Sequence, residues 1–417
     1  MMVFALVSQR YVKFCFLQCR GDKNSGYICI NYKNVHSLPL LMELYLFNPE
    51  TDLALATDGA SYTASEKVRQ MAHDLAALPL WYAPSGSAIL VPDEACAQFI
   101  TSVSFKLGKF FFLVREKKIP HEEIKKVRPW GWNRALRNKL LRMGLGSDVL
   151  PSEKTLEYWS RLSSRTTATD MMSLFKNEPF CGGESVNLFS VADCQSYATS
   201  VSSGVVFKSP WSSSGKGLSW CRTGFLDRHR HWCSRVLMEQ GAVIAQPIME
   251  RICDFAMEFY GDEEGHWRFV GYSLFKTNAQ GAYEGNLLLT DSEIESHLSS
   301  FIPKSVLWRV REIYLKVLQE IDYHGYMGID MMVCKNLDGA YIIHPCVEMN
   351  WRMNMGVLSH QLTELLIDKH VKATFHVENY PSPKALQEAI SCQKDKILMQ
   401  LTPIAEKTMA VAYVSAG

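Results

Sequence analysis

What the chain lacks narrows its class before any motif is considered. No apolar run reaches the about 18 residues that a membrane helix requires. The opening Met1-Met2-Val3-Phe4-Ala5-Leu6-Val7 is cut off by Arg10 and is too short and too poorly flanked for a signal peptide. The expectation is a soluble cytoplasmic protein with no membrane partner. Neither sign of charge is in excess, with 44 Lys and Arg against 43 Asp and Glu. No overall field therefore recruits nucleic acid, and any bound anion must be held by local groups. The 12 cysteines include no Cys-x-x-Cys pair and no Cys/His zinc spacing, as expected of free thiols in a reducing compartment. The densest His/Cys run, His229-Arg230-His231-Trp232-Cys233, lies among arginines that repel a cation, and reads as a basic, exposed helix end. There is no P-loop signature, no kinase catalytic loop, no Asp-Phe-Gly, no internal repeat and no low-complexity segment.

What is present divides into units. At 417 residues the chain has room for two or three domains. Residues 1–41 mix aromatic, basic and Cys residues without a period, and read as an extension ahead of a true start at Met42. Residues 42–150 alternate strand and helix patterns as a small α/β unit. Its strands are Glu43 to Phe47, Leu80 to Ala83 and Ala88 to Val91, and its helices run from about Ala64 to Leu78 and from Asn133 to Met143. Residues 151–417 form the second unit. Helices at Glu153–Leu162 and Thr166–Lys176 are followed by aromatic and β-branched strands at 204–208, 243–250, 255–260 and 266–275. A helix at about Lys304 to Glu320, a hairpin, a helix from Gly356 to His370, and one or two edge strands around Pro403 complete it.

In Glu348-Met349-Asn350-Trp351-Arg352, polar side chains recur at every second position, which on a strand places them on one face. Upstream, Tyr326 to Val333 and Tyr341 to His344 read as two strands joined through Leu337-Asp338-Gly339, with Gly339 in the left-handed position. That register sets Asp330 opposite Cys346 and Glu348 about 7 Å away diagonally. Two carboxylates and an amide oxygen make a hard donor set for Mg²⁺ or Mn²⁺. A salt-bridged hairpin is the alternative. Lys208 ends an otherwise apolar strand and leads into Ser209-Pro210-Trp211-Ser212-Ser213-Ser214-Gly215-Lys216-Gly217, whose small residues let backbone N–H groups surround phosphate oxygens. A flexible surface loop is again the alternative.

Taken in order, Lys208 with its Ser-Gly loop, the strand Gln246 to Glu250, Gly328-x-Asp330 and Glu348-x-Asn350-x-Arg352 resemble the ATP-grasp superfamily, over roughly residues 151–370. The resemblance implies an α/β and α+β chain, with two α+β subdomains clasping ATP behind a small α/β domain. Lys208 is then the lysine that reaches the α- or β-phosphate, and Ser213, Ser214 and Gly215 belong to the loop closing over the β- and γ-phosphates. Gln246, Ile248 and Met249 line the adenine pocket, while Glu250 or Asp254 holds the ribose. Asp330, Glu348 and Asn350 ligate Mg²⁺ or Mn²⁺, and Arg352 neutralises the transferring phosphoryl group. A basic residue at the domain entrance is Arg165 or, fitting nearly as well, Arg161. The implied activity is an ATP-dependent, ADP-forming ligase that joins a small-molecule carboxylate to an amine, in a chain that could form a homodimer. An ATP-binding regulator without chemistry and a small-molecule kinase on the same fold remain the other readings. Arg268, Lys276, Tyr283 and Asn286 are candidates for the acceptor side.

Overall fold

A computed structural model describes residues 2–8, 11–17, 42–57, 62–212, 217–278, 281, 283–336, 338–366 and 372–416. Strands are numbered in chain order. β1 (Met2–Ser8) and β2 (Tyr11–Leu17) pair as an antiparallel hairpin. The rest of the expected N-terminal extension, residues 18–41, lies outside the described residues.

β3 (Met42–Leu46), β4 (Ala88–Leu90), β5 (Phe112–Val114) and β6 (Ile124–Pro129) form a parallel sheet in the order β5-β4-β3-β6. The chain steps outward from β3 to β5 and then returns to the other side of β3. The crevice at the carboxyl ends of β3 and β6 is therefore a topological switch point, where open α/β sheets bind ligands. Leu80 to Ala83, expected as a strand, instead lies in a 3₁₀ turn spanning Leu78–Trp81. Pro79 has no N–H to give a ladder, and the Trp81 indole N–H donates to the Leu401 carbonyl at 2.8 Å, so the segment packs as a corner.

Beyond residue 150, β7 (Val186–Leu188), β8 (Val205–Lys208), β9 (Leu218–Cys221) and β10 (Val243–Pro247) make a small antiparallel sheet, ordered β7-β10-β8-β9. The large sheet contains β11 (Glu250–Gly261), β12 (Trp267–Thr277), β13 (Tyr283–Leu288), β14 (Gly325–Lys335) and β15 (Tyr341–Asn350). β16 (Ala373–Asn379), β17 (Ile397–Gln400) and β18 (Ala410–Ala416) complete the order β15-β14-β11-β12-β13-β16-β18-β17. The helix expected over Gly356 to His370 is described from Met355 to Leu366. His229 and Cys233, expected at an exposed helix end, are buried on the inner side of the helix Asp227–Gln240.

Period-two alternation assigns the two faces of the large sheet. Phe255, Met257 and Phe259 of β11, with Met327, Ile329, Met331 and Val333 of β14, are fully buried against the helices Asp291–Leu298 and Lys304–Leu318. The intervening Asp254, Ala256, Glu258, Gly328, Asp330 and Met332 fall on the opposite face. A second core is shared between the first unit and the C-terminal part of the chain. It joins Tyr45, Phe47, Leu78, Trp81 and Trp130 to Val357, Leu362, Phe375, Leu401, Ala412 and Val414. A buried carboxylate ties the same two parts: Asp74 Oδ2 accepts the backbone N–H groups of Met409 at 2.8 Å and Ala410 at 3.0 Å. Asp74→Ala should destabilise the protein by about 2–4 kcal/mol in urea unfolding, because it leaves both donors without an acceptor.

Candidate nucleotide and metal site

The hairpin that carries the carboxylates has the expected turn but a different register. Asn336 N–H donates to the Ala340 carbonyl at 2.9 Å, closing a three-residue loop, and Gly339 has φ +78°. Lys335 pairs with Tyr341 and Met332 with His344, but Asp330 then faces Glu348 rather than Cys346. The cause is Pro345. It has no N–H to continue the ladder, so Pro345, Cys346 and Val347 bulge opposite Met331. The Pro345 carbonyl instead accepts the buried Tyr314 hydroxyl at 2.8 Å. A shift of two residues preserves the faces, so Asp330 and Glu348 are directly opposite on one side, with Asn350 opposite Gly328.

Three basic side chains converge on this pair. Arg165, 6% exposed, opens the helix Arg165–Met171. Its guanidinium donates to the Ser209 carbonyl, to Ser212 Oγ and to Glu348 Oε1, each at 2.8 Å. Arg161, the other candidate, is exposed. Lys208 is buried in β8, and its ammonium has no hydrogen bond or close ion pair among the described residues. Burial, and then Arg165, lower its pKa to about 8, while Glu348, Cys346 and Asp330 act in the opposite direction. The lysine strand and the carboxylate strands therefore face one another across one crevice. Arg352 donates through Nε and Nη2 to the two oxygens of Asp52 at 2.9 and 2.8 Å, and through Nη2 to Asn350 Oδ1 at 3.0 Å. Burial opposes its charge, but Asp52 holds its pKa above the usual range. Ser213, Ser214 and Gly215 lie outside the described residues.

Among the described residues no group of three or more His, Cys, Asp or Glu side chains is placed to hold a metal ion, so the site offers the two facing carboxylates alone. Burial, then the facing Glu348 and then Glu258, push the Asp330 pKa well up, the mark of an acid lacking enough positive charge. Asn350 presents its amide the other way: Nδ2 donates to Asp330 Oδ2 at 3.2 Å while the oxygen turns to Arg352. It becomes a third oxygen donor only with the amide reversed.

The residues expected around the base and ribose make contacts within the protein. Gln246 is buried, and its Nε2 donates to Ser185 Oγ at 3.2 Å. The Ile248 N–H donates to the Gly204 carbonyl at 2.9 Å. Cys334 Sγ lies 3.8 Å from Met249 Sδ. Glu250 is ion-paired to Lys335 at 2.6 Å. Asp254 accepts from Thr277 Oγ1 at 2.6 Å and Arg251 at 3.0 Å. Of the acceptor-side candidates, Arg268 and Lys276 are exposed and Asn286 is buried.

The structure adds residues that motif spacing did not select. Glu258, 1% exposed, stands beside Gly328 on the carboxylate face. Its oxygens accept from Ser273 Oγ at 3.0 Å and Asn354 Nδ2 at 2.9 Å. Burial raises its pKa to about 7 against those two hydrogen bonds. Its alternation with Ala256 in β11 was the available signal. His344, 2% exposed, has neither ring nitrogen hydrogen-bonded among the described residues, and burial followed by Lys208 lowers its pKa to about 3. Asp52 gave no signal, being 300 residues from its partner.

A small antiparallel sheet and a larger one, behind a parallel α/β unit, make the ATP-grasp fold, and this chain has that fold. The N5-carboxyaminoimidazole synthetase of Staphylococcus aureus, solved with ADP, matches at TM-score 0.50 and 8% identity, over 90% of this chain and 93% of that one. The N5-carboxyaminoimidazole synthase of Aspergillus clavatus, solved with ADP and the 5-aminoimidazole ribonucleotide, matches at 0.50 and 9%, over 91% and 95%. The biotin carboxylase of Campylobacter jejuni matches at 0.50 and 12%, over 91% and 88%. No family model and no curated protein matches the sequence.

Gly356 permits the close packing at Glu258: a Cβ there would lie 1.9 Å from Glu258 Oε1 and 2.5 Å from Ser273 Oγ. Gly356→Ala should cost about 1–3 kcal/mol of stability by displacing that carboxylate, as measured by chemical unfolding.

Proposed function

We propose that the protein is an ATP- and Mg²⁺-dependent ligase of the cytoplasm, activating a small-molecule carboxylate as an acyl phosphate for attack by an amine or similar nucleophile. The observation that carries this reading is the facing of Lys208 and Arg165 with Asp330 and Glu348 across one crevice. Lys208 serves the α- or β-phosphate: it is a buried ammonium with no close counter-ion among the described residues, so a phosphate oxygen gains more there than at a paired cation. Arg165 bridges the entrance helix, the strand that carries Lys208 and Glu348, and can pass from the carboxylate to a phosphate. Asp330 and Glu348, with Asn350 once its amide is turned, hold the divalent cation. Bound there, it would offset the charge of the phosphate oxygens during transfer. Arg352 meets the charge that develops on the transferring group. Ser213, Ser214 and Gly215 close over the β- and γ-phosphates, and Gln246, Met249, Glu250 and Asp254 surround the nucleoside. The neighbours solved with ADP support a nucleotide in this crevice.

The test is ADP release from Mg·ATP across a panel of acids and amines. The expected product is an amide with ADP and phosphate; a stable phosphorylated acid that needs no amine would assign a kinase instead. Glu348→Gln changes charge and not volume, and should reduce the rate by at least 100-fold with the fold retained by circular dichroism. Normal turnover in that variant would remove Glu348 from the cation site.

Lys208→Ala should weaken ATP binding tenfold or more, about 1.4 kcal/mol. Since the protonated form binds phosphate and the free lysine titrates at about 8, ATP affinity should fall as pH rises above 8, by up to about tenfold per unit. Titration calorimetry in buffers of different ionisation heat should show proton uptake on binding at that pH, and none in Lys208→Ala.

A further inference from the structure

The first α/β unit contributes a carboxylate to the site through a loop with little freedom. Asn48 and Thr51, at the carboxyl end of β3, are 3% and 2% exposed. Asn48 Nδ2 donates to Thr51 Oγ1 at 2.7 Å and to the Gly131 carbonyl at 2.8 Å, while the Gly131 N–H donates to Asn48 Oδ1 at 3.2 Å. A Cβ on Gly131 would stand 2.6 Å from Thr51 Cγ2, so only glycine allows the two loops to approach this closely. The Trp130 carbonyl, on the same peptide as the Gly131 N–H, accepts the Met353 N–H at 2.9 Å, fixing the chain beyond Arg352 to the same loops. Asp52 follows Thr51 directly and meets Arg352 with both oxygens.

The Arg352 guanidinium is thus held in its plane. Nε and Nη2 are bound to Asp52, Nη2 also to Asn350 Oδ1, and Nη1 to the Met353 carbonyl at 3.2 Å. One Nη1 hydrogen is left without a partner among the described residues. The ion pair is not sealed in the core: the two side chains are 18% and 21% exposed and border the same cleft as Glu348, Asn350 and Ser212. Stability alone does not call for such a pair, since apolar residues of similar volume commonly serve a packed interface at least as well. A planar fork held by a carboxylate does serve orientation.

We propose that Asp52 is a positioning residue: it sets the plane of the Arg352 guanidinium for the transferring phosphoryl group, which makes the first α/β unit part of the phosphoryl-transfer machinery. This rests on the ligase reading of Arg352, and the test separates the two. Calorimetry measures the affinity of the full chain for Mg·ADP alone and for Mg·ADP with tetrafluoroaluminate, a mimic of the transferring group. Asp52→Asn should weaken the tetrafluoroaluminate complex tenfold or more while leaving Mg·ADP affinity within twofold, and Asp52→Glu should recover part of the loss. In an Arg352→Ala background, Asp52→Asn should cost nothing further, because Asp52 acts only through the arginine.

An unchanged tetrafluoroaluminate complex in Asp52→Asn, or a further loss in the Arg352→Ala background, would overturn the assignment while leaving the nucleotide site standing. Absence of Mg·ADP binding by the wild-type protein would remove the ligase reading and this inference together. Should Asp52→Asn fail to fold, Asp52→Glu, which keeps the charge but lengthens the arm, is judged by the same ratio of affinities; an unaltered ratio there would also overturn it.

Discussion

Two half-buried carboxylates held directly opposite one another on neighbouring strands constitute an electrostatic debt that the surrounding structure must answer. Asp330 and Glu348 are in that position because of the bulge at Pro345, and the nearby charged groups are arranged around them. Arg165 bonds one oxygen of Glu348, Asn350 donates to Asp330, and Lys208 feels both from across the crevice. Like charges a strand apart favour either a proton or a cation between them, and the acyl-phosphate chemistry proposed for the site draws on the second outcome.

The face pattern of the large sheet was legible in the sequence because alternation has a period that burial enforces. Phe255, Met257 and Phe259 could not all be placed inward without sending Asp254 and Glu258 to the other side. The loop at Gly339 was legible for a local reason, a left-handed residue in a three-residue turn. The register beyond it was not, because a proline bulge slips the pairing by two residues without changing any face. Glu348 and Asp330 therefore remained partners on one face although their separation was misjudged.

Other parts were illegible because their cause is distant in sequence or depends on context. The 3₁₀ turn at Leu78–Trp81 has the apolar content of a short strand, and Pro79 and the indole contact with Leu401 distinguish it. The pairing of Asp52 with Arg352 crosses the whole molecule, and neither residue advertises the other. The bond from the Ile248 N–H to the Gly204 carbonyl depends on a turn with φ +82° at Gly204, 44 residues upstream. Solved structures that share the fold match this chain at only 8–12% identity, so the fold persists with little of the sequence.

The core shared by the first α/β unit and the C-terminal strands has a consequence for synthesis. Tyr45, Phe47 and Trp81 are made well before Phe375, Ala412 and Val414, with which they pack. Until then the apolar surface of the nascent first unit has no native cover, which exposes it to chaperones and to self-association. Translation must run past β18 before that core can close, so a premature stop anywhere upstream of β18 would release a chain whose first α/β unit remains sticky.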